Sequence, residues 1–199
     1  MLKSTFDAAR KESRPSVLFF DEIDSLVSSR GEESEHEASR RFKSELLTQM
    51  DGITSDSSTR VVVIAATNTP WDLDEAMRRR LEKRIYVPLP NENSRLQAFQ
   101  IHLSGSLLGD DVDLAEIAKS TAGLSGADIK SICKEASMMP LRRMLEVGQS
   151  VEEMKEAVKD REELKLLQDD FVTAVKNIPA SVATTENTKF EDWEKEFAS

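Results

Sequence analysis

Two carboxylates stand side by side at the end of a short apolar run, where Val17-Leu18-Phe19-Phe20 is followed by Asp21 and Glu22. An aspartate in that place can hold Mg²⁺, usually through water, and the glutamate after it can orient and polarise a water that attacks a phosphorus atom. A second apolar run, Val61 to Ala66, leads through Thr67 to Asn68, whose side-chain amide can hydrogen-bond that water or a γ-phosphate. Taken singly, an acidic pair is a solvated strand end and an asparagine a turn residue. Here both close an apolar run of strand length. The third feature is basic: Arg78-Arg79-Arg80-Leu81-Glu82-Lys83-Arg84 is the densest positive cluster in the chain. Its bland interpretations are a solvated helix end or a nuclear-localisation-like run. Its chemical one is a guanidinium pair that stabilises phosphoryl charge, also on a neighbouring protomer, an effect worth roughly 10³ to 10⁵ in rate.

The elements that must position these groups follow from the hydrophobic pattern. Continuous rather than alternating apolar runs suit strands buried on both faces of a parallel sheet. Between them Ala38, Phe42, Leu46 and Met50, four apart, place an apolar stripe on a helix that starts near Glu35, which completes a strand-helix-strand unit. A short helix with Leu2, Phe6 and Ala9 on one face precedes the first strand, and Arg84 to Val87 reads as a weaker third strand stopped by Pro88 and Pro90. Beyond Asn93 the pattern is helical throughout. Leu114, Ile117, Ala118 and Thr121 form one amphipathic stripe, and Ile129, Ile132, Cys133 and Ala136 another. Ser125 is placed to cap the latter helix with Asp128 in its first turn, and Pro140 is expected to kink or end it. The segment from Val151 to Leu167 is highly charged, with Met154 and Val158 on one side, and Phe171, Val175 and Ile178 mark a helix ended at Pro179. Phe190, Trp193 and Phe197 form a last stripe that needs a partner surface, and Thr54 to Thr59 is a polar loop. The expected fold is α/β over residues 1–92, an all-α small domain over 93–180, and a C-terminal helix segment over 181–199.

Composition limits the function classes. With 39% hydrophobic and 32% charged residues among 199, the chain is a soluble globular protein, neither fibrous nor wholly disordered. Its 27 basic against 37 acidic side chains give a formal net charge of -10, which disfavours non-specific binding to a phosphate backbone. The basic cluster lacks interleaved aromatics, so nucleic acid is not an expected partner. Cys133, the single cysteine, admits neither an internal disulfide nor a Cys/His metal site and points to a buried thiol in a reducing compartment. No run approaches the roughly 20 apolar residues of a membrane span, and the opening residues are too polar for a signal peptide; the expected location is the cytosol or nucleus.

DEIDSL, EHEASRR, LLTQMDG, AATNTPWDLDEAMRRRLEKRIYVPLP and GLSGADI, in this order and spacing, together resemble AAA ATPases of the meiotic clade, and EHEASRR with PWDLDEAMRRRLEKR most resembles the katanin type, which severs microtubules. The resemblance runs from Leu2 to Ser199. It implies that Asp21 and Glu22 are the Walker B pair, for Mg²⁺ and for water activation, and that Asn68 is the sensor of the γ-phosphate. Arg79 and Arg80 match arginine fingers that reach the nucleotide of an adjacent protomer, which implies a ring, typically a homo-hexamer. Gly126 and Ala127 match small residues that lie against base and ribose, and His102 matches a position that contacts adenosine, with a bland surface histidine as the alternative there. Arg30, His36, Glu37, Arg40 and Arg41 match a second pore loop that touches the acidic C-terminal tail of tubulin threaded through the ring. Phe190, Trp193 and Phe197 match a terminal helix that packs back on the large domain. ATP and Mg²⁺ are the implied cofactors, microtubules and a regulatory protein of the katanin type the implied partners, and cytoplasm and cytoskeleton the implied location.

Two departures refine this expectation. The short charged stretch between Arg143 and Asp170 cannot supply the β-domain that vacuolar-sorting relatives insert, which favours the severing members: katanin, spastin and fidgetin. No Gly-Lys pair occurs in the 199 residues, so the phosphate-cradling loop G-x-x-x-x-G-K-[ST] is not among them. The chain therefore reads as the carboxyl-terminal part of a severing ATPase. The alternative is a non-catalytic assembly module that docks into ATPase rings and supplies arginine fingers without hydrolysing ATP itself.

Overall fold

In the computed structural model, which describes residues 1–27, 33–54, 60–147, 164–182 and 184–197, the two apolar runs form strands β1 (Ser16–Phe20) and β2 (Val61–Ala65). They pair in parallel, in register from Ser16 opposite Val61 to Phe20 opposite Ala65. The helices of the first half are α1 (Leu2–Lys11), α2 (Ile23–Val27), α3 (Glu33–Thr54) and α4 (Glu75–Arg80). Those of the second half are α5 (Glu92–His102), α6 (Leu114–Ser120), α7 (Gly126–Glu146) and α8 (Gln168–Asn177), followed by α9 (Thr184–Phe197). The chain divides into two units, Met1–Ile85 with Trp193–Ser199, and Tyr86–Asp192. The expected polar loop after Thr54 and most of the charged segment, with Met154 and Val158, lie outside the described residues.

In the first unit the stripe on α1 and that on α3 meet as the spacing requires. Phe6, Ile23, Leu46, Met50, Leu73 and Met77 are buried together, and Leu18, Phe20, Val63 and Ala65 pack on them from the sheet. Arg10 ties α1 to α3 by donating to the Gln49 side-chain oxygen at 2.7 Å and to its backbone carbonyl at 2.9 Å. The sheet corrects one expectation. Val17 and Phe19 are 60% and 61% exposed, and Val62 and Ile64 are 52% and 47% exposed. Alternate strand residues point to opposite faces, and among the described residues helices cover only one of them. A second correction concerns Arg84 to Val87, which forms no strand. A strand exists through its ladder; among the described residues the sheet consists of β1 and β2, and Ile85 and Val87 stand 80% and 82% exposed.

The second unit is built by helices whose starts are written in the sequence. Asn91, Asp113 and Ser125 each accept a backbone N–H from the first turn of the helix that follows, which satisfies donors that a helix leaves unpaired. The stripes of α5 to α8 close one core around Phe99, Ile117, Ile129, Ile132, Cys133 and Phe171. Helix α7 is not ended by Pro140 but runs on to Glu146. The lost backbone hydrogen bond is offset there by burial, since Pro140 is fully enclosed. An ion pair between Arg143 of α7 and the largely buried Asp170 of α8 joins the two helices. Burial pushes the Cys133 thiol up to about 12 and makes it inert at neutral pH. Phe171 is fully buried; its replacement by Ala is expected to lower the stability of this unit by about 3 to 5 kcal/mol, read from urea unfolding monitored by helix circular dichroism. Among the described residues no helix is long and apolar enough to cross a membrane.

Candidate active site

Where β1 ends, the backbone turns sharply. Glu22 has φ +49°, a left-handed conformation that a side chain adopts at a cost of order 1 to 3 kcal/mol. The turn is held from both sides: the Glu22 N–H donates to Asp21 Oδ1 at 3.0 Å, and the Glu22 carbonyl accepts the Ser25 N–H at 2.9 Å and its hydroxyl at 2.7 Å. The parallel pairing then continues past the strands, with the Ala66 N–H on the Phe20 carbonyl at 2.8 Å and the Ile23 N–H on the Ala66 carbonyl at 3.0 Å. One residue further, the Thr67 hydroxyl donates to Asp24 Oδ1 at 2.6 Å and accepts the Thr69 N–H at 3.0 Å. The residues on both sides of Asn68 are thereby fixed to the turn that carries Glu22. Asp21, Glu22 and Asn68 are themselves exposed, so water has access to all three. Sequence reasoning missed Asp24 and Thr67; their one signal was to flank the acidic pair and the asparagine.

The basic cluster divides by function. Asp74 caps α4 by accepting the Met77 N–H at 2.9 Å and pairs with Lys43 of α3. Burial pushes the Asp74 carboxyl up, but Lys43 and the Met77 N–H outweigh it and hold the group below the ordinary carboxylate range. Arg78 donates to the Leu73 carbonyl at 2.8 Å and lies over the Phe197 ring at 5.4 Å. Arg84 donates to the carbonyls of Arg78 at 2.8 Å and Phe197 at 2.9 Å. These two arginines are structural. Arg80 is engaged with Asp51 at the end of α3, through Nε on Oδ1 and Nη2 on Oδ2, both at 2.6 Å. Of the three consecutive arginines, Arg79 is the one that projects into solvent: it is 75% exposed and, among the described residues, pairs with the similarly exposed Glu75 at 2.5 Å.

The remaining predicted residues are placed as follows. Arg30 and the His36 side chain lie outside the described residues, whereas Glu37, Arg40 and Arg41 occupy the exposed beginning of α3, with Arg41 donating to Glu37 at 2.5 Å. In the second unit His102 is the exposed last residue of α5, and Gly126 and Ala127 are the exposed first residues of α7. A side chain added at Gly126 would meet nothing within 4 Å. The start of α7 is fixed by Asp128, which accepts from the N–H and hydroxyl of both Ser125 and Ser181. Burial pushes the Asp128 carboxyl up, yet these donors together hold it below its ordinary value. A carboxyl depressed in the folded state lends stability above its unfolded pKa of about 4, and that stability is lost as pH falls through the lower folded value. Asp128→Asn is therefore expected to flatten the acid limb of the second unit's melting-temperature profile below pH about 4 while lowering its plateau at neutral pH.

The donor set suits Mg-nucleotide chemistry. Among the described residues no three His, Cys, Asp or Glu side chains converge as a metal cage. Mg²⁺ asks for none, since it is commonly held by one or two carboxylates, waters and the phosphates themselves, and Asp21 offers one such exposed carboxylate.

Residues 1–89 match the family described as ATPase family associated with various cellular activities (AAA), and residues 111–156 match the AAA+ lid domain. The A-like 1 form of the katanin p60 ATPase-containing subunit from Danio rerio is 46% identical over 204 residues, covering 100% of this chain and 41% of that protein. The A1 form from Strongylocentrotus purpuratus is 47% identical, covering 100% and 39%. The chain thus spans about two fifths of the length of these curated relatives. Among solved structures, the FIGL-1 AAA domain superposes with a TM-score of 0.85 at 37% identity, over 100% of this chain and 62% of that one. A structure determined to explain katanin self-assembly superposes with a TM-score of 0.73 at 38% identity, over 94% and 60%. With its small parallel sheet followed by a helical lid, the chain belongs to the AAA ATPase family.

Proposed function

We propose that this chain serves a katanin-type ATPase that hydrolyses ATP in a homo-hexameric ring and severs microtubules by pulling on tubulin tails. The observation that carries the chemistry is the joint between Glu22 and Asn68, fixed to one another through the Ile23–Ala66 and Asp24–Thr67 hydrogen bonds. When bound, Mg-ATP supplies the γ-phosphoryl group that is transferred to water and the cationic charge that screens it. Asp21 would hold the ion through water. The Glu22 carboxylate polarises the attacking water and takes its proton, and the Asn68 amide orients that water or the γ-phosphate. Arg79 and Arg80 act across the protomer boundary on the neighbour's phosphates. Gly126 and Ala127 leave open space for base and ribose at the start of α7, with His102 as a further adenosine contact.

The chain as a whole is acidic, so an acidic tubulin tail needs a local cation to receive it. Arg30, His36, Glu37, Arg40 and Arg41 are the residues assigned to that contact. Such a protein works in the cytoplasm on the microtubule cytoskeleton, where a regulatory protein of the katanin type can join it. The test is to image fluorescent microtubules with the full-length protein and Mg-ATP. Severing is expected on intact microtubules, and it is expected to cease when the acidic tails are removed by limited proteolysis or when ATP is replaced by a non-hydrolysable analogue. Turnover of ATP without loss of polymer would leave the ATPase and refute the severing activity.

A further inference from the structure

The two adjacent arginines assigned to the neighbour's phosphates are held in opposite ways. Arg79 is paired within its own helix turn and is 75% exposed. Arg80 is gripped by two elements: Asp51 takes its Nε and Nη2 in a bidentate pair with both distances 2.6 Å, and its Nη1 donates to the Ala76 carbonyl at 3.0 Å. Three of the five guanidinium N–H groups are so committed. The side chain still shows 28% of its surface, and the other two N–H groups remain for a ligand. A parallel fork of this kind fixes orientation as well as position.

We propose that Asp51 is a positioning residue for Arg80: it sets the guanidinium at the end of α4 in one orientation, so that Arg80 meets the neighbouring protomer's phosphate already aligned, whereas Arg79 approaches from an exposed ion pair with Glu75. Donors fixed before the charge develops need no reorganisation during the reaction, and misplacement by about 1 Å costs up to about 10²-fold in rate. Stability accounts for only part of the pair: its bidentate geometry gives it more worth than an ordinary surface pair, but Asp51 is 57% exposed and solvent screening limits that worth. This inference rests on the arginine-finger role proposed above for Arg80.

The test uses Asp51→Asn, Asp51→Glu and Arg80→Ala in the full-length protein assembled into rings, after confirming that each melts near the wild-type temperature. Asp51→Asn is expected to lower kcat for ATP about tenfold or more with KM for Mg-ATP within twofold, and Asp51→Glu to recover part of the loss. The defect should also act across the boundary. Mixed rings are made of wild-type chains and chains carrying both Asp51→Asn and Glu22→Gln; they should lose more turnover per wild-type chain than rings mixed with Glu22→Gln alone. An Asp51→Asn kcat within twofold of wild type or faster, or a defect confined to the chain that carries it, overturns the inference. If Arg80→Ala is defective and Asp51→Asn is not, the Asp51 inference alone falls. If Arg80→Ala is itself silent, the role of Arg80 falls and that of Asp51 with it.

Discussion

Glu22→Gln is expected to reduce steady-state ATP turnover by about 10² to 10⁴-fold, the span over which a positioned general base contributes, with nucleotide affinity changed by no more than a few-fold. Gln keeps the size and the hydrogen-bonding reach of Glu but cannot accept a proton, so the loss isolates the chemical step. A nucleotide-release assay alongside single-turnover hydrolysis checks both halves of the statement, and unchanged turnover would remove Glu22 from the site. The backbone supplies an internal control. At φ +49° a glycine is relieved of the strain of about 1 to 3 kcal/mol that Glu22 bears, which exceeds its added chain entropy of about 0.5 to 1 kcal/mol, so Glu22→Gly should melt higher than Glu22→Gln while being equally inactive. Finding that pair of variants alike in activity and ordered this way in melting temperature would separate the side chain's chemistry from the turn that presents it.

Simultaneous Arg79→Ala and Arg80→Ala is expected to lower turnover about 10³ to 10⁵-fold, and its signature lies in where the loss appears. The partners of these two side chains are Glu75, Asp51 and Ala76 rather than Asp21, Glu22 or Asn68. If they serve a neighbour, a chain lacking them but retaining Glu22 should regain turnover when mixed with a Glu22→Gln chain, because one supplies the arginines and the other the base. Absence of any such complementation across mixing ratios would place the arginines in the structural class with Arg78 and Arg84.

Much of this arrangement is legible in the sequence. The carboxylates of DEIDSL and the amide of AATN each end an apolar run, and two parallel strands in register bring run ends to the same edge. Helix starts are legible as well, since Ser125 and Asp128 form their cap from residues three apart. What escapes depends on partners distant in sequence. Nothing in QMDG marks Asp51 as the carboxylate for an arginine 29 positions later, and nothing in Thr67 announces Asp24. Continuity of the apolar runs predicts two buried sheet faces, yet burial is a property of what lies opposite, and Val17, Phe19, Val62 and Ile64 have no covering layer among the described residues. Arg84 to Val87 has the composition of a strand but lies outside the two-stranded sheet of the described residues. Pro140 does not end its helix, because a lost hydrogen bond is a local cost and enclosure in a core is not a local gain.

Cys133 has a practical consequence of a different kind. A thiol 4% exposed and pushed up to about 12 stays protonated at pH 8, and within these 199 residues it has no second cysteine beside it. Any cysteine introduced on the surface can therefore be labelled with a maleimide dye or spin label against a nearly silent background, without first replacing Cys133 and leaving a void in the core of the second unit. Distances between labels on α4 and α7 become measurable by fluorescence or dipolar spectroscopy in the otherwise unaltered chain.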